Sequence, residues 1–155
     1  MAHVRLLKDP NTKIRVCYFT DSAVGLGRVN HRQDVLLVQF LLKSLARQTD
    51  PEAHELFAVP GAPALTIDGI CGQNTVAAIK RFQVFALAGN NPNSPLIDGL
   101  IDVSPRGQPI TTITHATYTI ILLNVNFGVF FGPDRHAALF REAEFPNELL
   151  NAFFA

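Results

Sequence analysis

The chain has 155 residues, 48% of them apolar and 17% charged, with Lys plus Arg and Asp plus Glu balanced at 13 each. That length supports one domain with a buried core and is hardly enough for two, and the composition excludes a disordered chain. The charge balance argues against a nucleic-acid or anionic-membrane partner recruited by net charge, and no apolar run is long enough to span a bilayer.

The first residues, MAHVRLLKDPNTKIRV, lack the long apolar core of a signal peptide, so synthesis in the cytoplasm is expected. Residues 13 to 20, KIRVCYFT, are rich in β-branched and aromatic side chains and predict a strand. Residues 3 to 7 are its expected partner in a hairpin. Gly25 and Gly27 follow in SAVGLGRVN. This loop lacks the further glycine and the Lys-Ser/Thr of a phosphate-binding loop, and reads as a turn into a helix.

Residues 31 to 47 predict the first helix, with Val35, Val38, Leu42 and Leu45 on one stripe. Leu36, Leu37, Phe40 and Leu41 carry the apolar surface round most of the cylinder, so this helix should be central. Gln39 is the polar exception, expected as a buried amide bonded to nearby backbone. Asn30 or Asp34 is the expected cap. Residues 48 to 64 hold three prolines and read as loop, with a single helical turn in PEAHELFA.

Asp68-Gly69 is a turn signal, and Gly72 is expected to need similar backbone freedom. Asn74 or Thr75 should cap the next helix, whose stripe is Val76, Ile79, Phe82 and Ala86, with Lys80 and Arg81 towards solvent. After the loop GNNPNSP, LIDG at residues 96 to 99 echoes TIDG at residues 66 to 69. Residues 111 to 127 have a strand-like β-branched content, but their length and the stripe Ile113, Ala116, Ile120, Leu123, Phe127 favour a helix. The tail from 128 to 155 is rich in Phe, with helices expected over 134 to 144 and 146 to 154. Its aromatic residues either cover the central helix or offer a surface to a protein partner or a second copy.

The order of motifs is specific. VGLGRVNHRQDVLLVQFLL, LTIDGICGQNTVAAIKRFQ and LIDGLIDVSPRGQPITTI together resemble the bacterial peptidoglycan-binding domain of the three-helix type. Val35, Val38, Gln39 and Leu42 match its first helix. Asp68, Gly69, Gly72, Thr75, Ala78, Ile79, Phe82 and Gln83 match its second motif position by position. Asp98 and Gly99 match the third, with Thr111 or Thr112 standing for the closing threonine. The resemblance covers residues 22 to 125 of a single domain spanning 1 to 155, leaving residues 1 to 21 as a strand extension and 128 to 155 as a helical tail. It implies a mainly α fold: a compact three-helix bundle with a short N-terminal β hairpin or strand and extra C-terminal helices.

The function implied is non-catalytic binding of peptidoglycan or a related cell-wall fragment by a stand-alone targeting subunit, without cofactor. Action in the periplasm or wall then requires a non-classical export route. The alternative is a structural or adaptor protein that uses the same fold to bind another protein. The motif residues Gln39, Asp68, Gly69, Gly72, Thr75, Phe82, Gln83, Asp98 and Gly99 read as scaffold. Ligand contact is expected from exposed polar groups beside them, Gln73, Asn74 and Arg81, at a helix start whose free amides suit a carboxylate.

An enzyme is not expected. The five histidines show no metal-peptidase spacing, and no metal site is expected. Cys17 and Cys71 form no CxxC pair and read as small apolar residues; the sequence leaves a bridge between them open. Cys71, near a helix start, would have a lowered pKa if it were a nucleophile.

Overall fold

The computed structural model describes residues 2–8, 14–47, 51–88, 95–105, 108 and 116–154. It is mainly helical with a short N-terminal antiparallel sheet. Strand β1 (His3–Lys8) pairs with β2 (Ile14–Phe19) in the register His3 opposite Phe19. The helices are α1 (Arg32–Ala46), α2 (Pro51–Phe57), α3 (Gln73–Ala88), α4 (Thr119–Phe131), α5 (Pro133–Ala137) and α6 (Asn147–Phe154).

Helix α1 is the axis. Residues from Asp34 to Leu42 are buried without interruption, because α2, α3, α4 and α6 all pack on it. An apolar cylinder needs cover on every side, and this helix receives it. Phe40 touches Phe127 of α4 and meets Phe145 edge-on. The hairpin packs on α4, α5 and α6. Its Tyr18 and Phe19 join the same buried cluster as Leu149 of α6, so both end segments share one core with the middle of the chain.

Several expectations need correction. Neither Asn30 nor Asp34 caps α1; the cap position is His31, without a side-chain bond. Asn30 instead closes the glycine loop, donating to the carbonyls of Gly25 and Arg28 and accepting the Gly25 N–H. It does so at a positive φ of 54°, which Asn tolerates better than most residues. Asp34 accepts the Ser22 N–H and hydroxyl and the Asp21 N–H, tying the strand exit to α1. Asn74 and Thr75 both lie inside α3, so neither is its cap.

Helix α2 has seven residues, more than the single turn expected. Helix α4 begins at Thr119 and runs on through Gly128 to Phe131; residues 111 to 115 lie outside the described residues. The helix expected over 134 to 144 is broken. It leaves helical geometry at Ala138 (φ −128°, ψ 48°) and resumes as a 3-10 turn, Leu139–Arg141.

The aromatic tail is mostly interior. Phe127 and Phe145 are buried, and Phe130, Phe131 and Phe153 pack against the core, while Phe140 is 40% exposed. A polar knot fixes the hairpin. Asn124 accepts the Tyr18 N–H and donates to the Tyr18 carbonyl, both at 2.8 Å, as a strand partner would. His136 Nε2 donates to the same Asn124 oxygen at 2.9 Å. Among the described residues no helix is long and apolar enough to cross a membrane.

Candidate functional site

The motif residues assemble into one small unit, and the unit occurs twice. Gln39, buried on α1, faces the turn at Asp68. Its Nε2 donates to Asp68 Oδ1 (3.0 Å), the Ile70 carbonyl (3.0 Å) and Thr75 Oγ1 (3.1 Å). Its Oε1 accepts the N–H groups of Asp68 (3.1 Å) and Gly69 (2.9 Å). Asp68 Oδ1 also accepts the Ile70 N–H at 2.9 Å, closing the turn. Both polar atoms of a buried amide are thereby satisfied, which removes the cost of burying them.

Gln83, on α3, repeats this at the second turn. It donates to Asp98 Oδ1 (3.0 Å), the Leu100 carbonyl (3.1 Å) and Thr119 Oγ1 (3.1 Å). It accepts from the Asp98 (3.1 Å) and Gly99 (2.9 Å) N–H groups, and Asp98 accepts from Leu100 at 2.9 Å. Helix α3 is shared: its Thr75 completes the first unit and its Gln83 starts the second. The closing threonine is Thr119, in the first turn of α4; Thr111 and Thr112, the expected candidates, lie outside the described residues. What could have found Thr119 is the interval from glutamine to threonine, 36 residues in both units.

Gly69 and Gly99 hold φ at +75° and +72°, where a Cβ is disfavoured. A Cβ at Gly69 would sit 2.8 Å from the Arg32 side chain, and one at Gly99 would sit 3.0 Å from Lys80 and Val76. Gly72 is different from what was expected: its φ is not positive and open space surrounds it. The Asp68 carboxyl is held below the usual carboxylate range by the Ile70 N–H and the Gln39 amide, with Arg32 assisting. Arg32 donates to the Asp68 carbonyl at 2.6 Å and pairs with Glu148 of α6 at 2.8 Å. That bridge links the first turn to the tail.

The three residues expected to contact ligand separate into two hollows that share Asn74. Gln73 and Asn74, both exposed, line a shallow polar hollow of about 360 Å³ at the first turn of α3, beside Thr66 and Asp68. Asn74 and Arg81 line a larger cleft of about 650 Å³ between α1, α2, α3 and residues 58 to 65. Arg81 is not the solvent-directed side chain expected. Its Nη2 donates to the Glu55 carbonyl at 2.7 Å, and its Nε is buried without a partner.

The cleft has an apolar floor of Leu42, Phe57 and Ala78, all nearly inaccessible. Lys43, Arg47 and His54 stand at its edge. Lys43 and Arg47 both pair with a single carboxylate, that of Glu144. His54 Nδ1 donates to the Ala46 carbonyl, fastening α2 to the end of α1.

The cysteines are both free thiols. Burial pushes the Cys71 thiol up, although a bond to the Gly25 backbone pulls the other way. A raised thiol is the reverse of what an activated nucleophile requires. Among the described residues no group of three or more His, Cys, Asp or Glu could hold a metal ion. Compared with protein-family models, curated proteins and solved structures, the chain matches none of them.

Proposed function

We propose that this chain is a non-catalytic binding module for peptidoglycan or a related cell-wall glycan or peptide, acting in the periplasm or wall. One observation carries the reading. The motif residues of the resemblance are consumed in holding helix α3, and two adjoining hollows on that helix present Gln73, Asn74 and Arg81. A rigid scaffold bearing polar groups in a concave surface is the arrangement a binding module needs. Co-sedimentation with purified sacculi tests it. The chain should pellet with sacculi and be released by soluble wall fragments.

A second reading, an adaptor that binds protein, is favoured by exposed aliphatic side chains. Leu26 and Val29 on the glycine loop are 82% and 72% exposed, and Ile70 on the first turn is 66% exposed. In the tail, Val129 is 71% and Phe140 40% exposed, while most of its aromatic side chains are interior. No retention on sacculi, together with a discrete oligomer or hetero-complex by light scattering, would favour it.

A further inference from the structure

We infer that the larger cleft takes a short apolar peptide that ends in a carboxylate, with Arg81 as its anion anchor. The inference rests on the binding-module reading and names the chemistry of its ligand. Two features of the cleft converge on it.

The first is charge. Among the described residues that line the cleft, Lys43, Arg47 and Arg81 face a single acid, Glu55. Glu144 reaches the edge and is shared by Lys43 and Arg47. Arg81 has a different situation: its Nη2 bonds a backbone carbonyl and its Nε is buried, which leaves Nη1 and the second Nη2 hydrogen as the donors for an anion. A guanidinium bonded to a neutral acceptor keeps its full charge for an incoming anion, and a carboxylate matches its forked donors.

The second is shape. The outer wall is Ala58, Val59, Pro60, Gly61, Ala62 and Pro63, with no long side chain among them. The floor is apolar. Small wall side chains leave that floor open, and about 650 Å³ has room for a short apolar peptide. A phosphate dianion gains most from several converging donors, whereas a carboxylate is matched by the one arginine fork.

The test is isothermal titration and amide-resolved NMR of the full chain with N-acetyl-alanyl-alanine, offered as the free acid and as its C-terminal amide, in both the D,D and L,L forms. The acid should bind at least tenfold tighter than the amide, and that advantage should shrink with added salt. Shifts should centre on Ala58, Ala62 and Ala78. In Arg81→Gln the advantage should fall below twofold. Should that variant unfold, Ala62→Phe serves instead: Ala62 is exposed, so the new ring blocks the slot without disturbing the core. Equal affinity for acid and amide, or shifts centred away from the cleft, overturns the inference. Wild-type retention on sacculi with no acid preference rejects this cleft and leaves the binding reading standing. Acid preference without retention supports the cleft and rejects the wall as its target.

Discussion

The two turn-helix units differ in sequence far more than in geometry. The first places its long connection before the turn, with 29 residues from Gln39 to Asp68; the second needs 15 from Gln83 to Asp98 and has its long connection after the turn. Yet corresponding hydrogen bonds agree within 0.1 Å. Loop length is therefore free and the five-bond glutamine clamp is not. The entropy of closing a loop changes slowly with its length, whereas an orphaned buried donor is costly.

They also differ in surroundings. The first unit is braced by Arg32 and, through it, by Glu148 on α6, and it borders the two hollows. The second is covered by Val76 and Lys80 of α3. The same scaffold thus has two settings, and the candidate ligand surface lies beside one of them.

The sharpest way to break the comparison is to remove the clamps. Gln39→Leu and Gln83→Leu should each destabilise the chain by about 2–4 kcal/mol, because buried turn amides lose their acceptor. Urea unfolding should give values within about 1 kcal/mol of each other; tolerance of one alone would show that the units are not equivalent. Next in size are the glycines. Gly69→Ala and Gly99→Ala should each cost about 1–2 kcal/mol, since both force an L side chain into positive φ. Gly72→Ala should be close to neutral in the same assay, because its backbone is ordinary and its surroundings open.

A smaller effect is the pH dependence of the first unit. The Asp68 carboxyl is depressed in the folded chain. Its contribution is therefore full above the ordinary carboxylate value, near 4, and is lost as pH falls through the lower folded value. Asp68→Asn keeps an oxygen that accepts the Ile70 N–H. It should be slightly less stable than wild type at neutral pH and lose less in acid, the two converging below the folded value. The smallest change is expected from Arg32→Ala, whose exposed pair with Glu148 is screened by salt. It should lower the thermal midpoint slightly at low salt and not measurably at high salt.

Much of this arrangement is legible in the sequence, and the limits have physical causes. The hairpin, α1, α3 and α6 follow from periodicity and turn chemistry. Asp68-Gly69 and Asp98-Gly99 announce their turns because few other residues suit them. The start of α4 is not legible. Its β-branched approach satisfies strand and helix patterns alike, and the threonine that fixes its start is chosen by Gln83, distant in sequence. The break at Ala138 has no local signal either, since alanine favours helix. Asn124 is visible as a polar interruption in ILLNVNF, but its partner, the Tyr18 backbone, is known only once the hairpin is placed. The site itself is half legible. Asn74 and Arg81 share a cleft, but its other walls come from α1, α2 and the proline segment, which no local pattern joins.

The most direct measurement is quantitative co-sedimentation with purified sacculi of the wild-type chain and a folded Gln73→Ala, Asn74→Ala, Arg81→Gln variant. The account predicts saturable pelleting of the wild type and loss of it in the variant. A wild-type chain that stays in the supernatant at every sacculus concentration would contradict it.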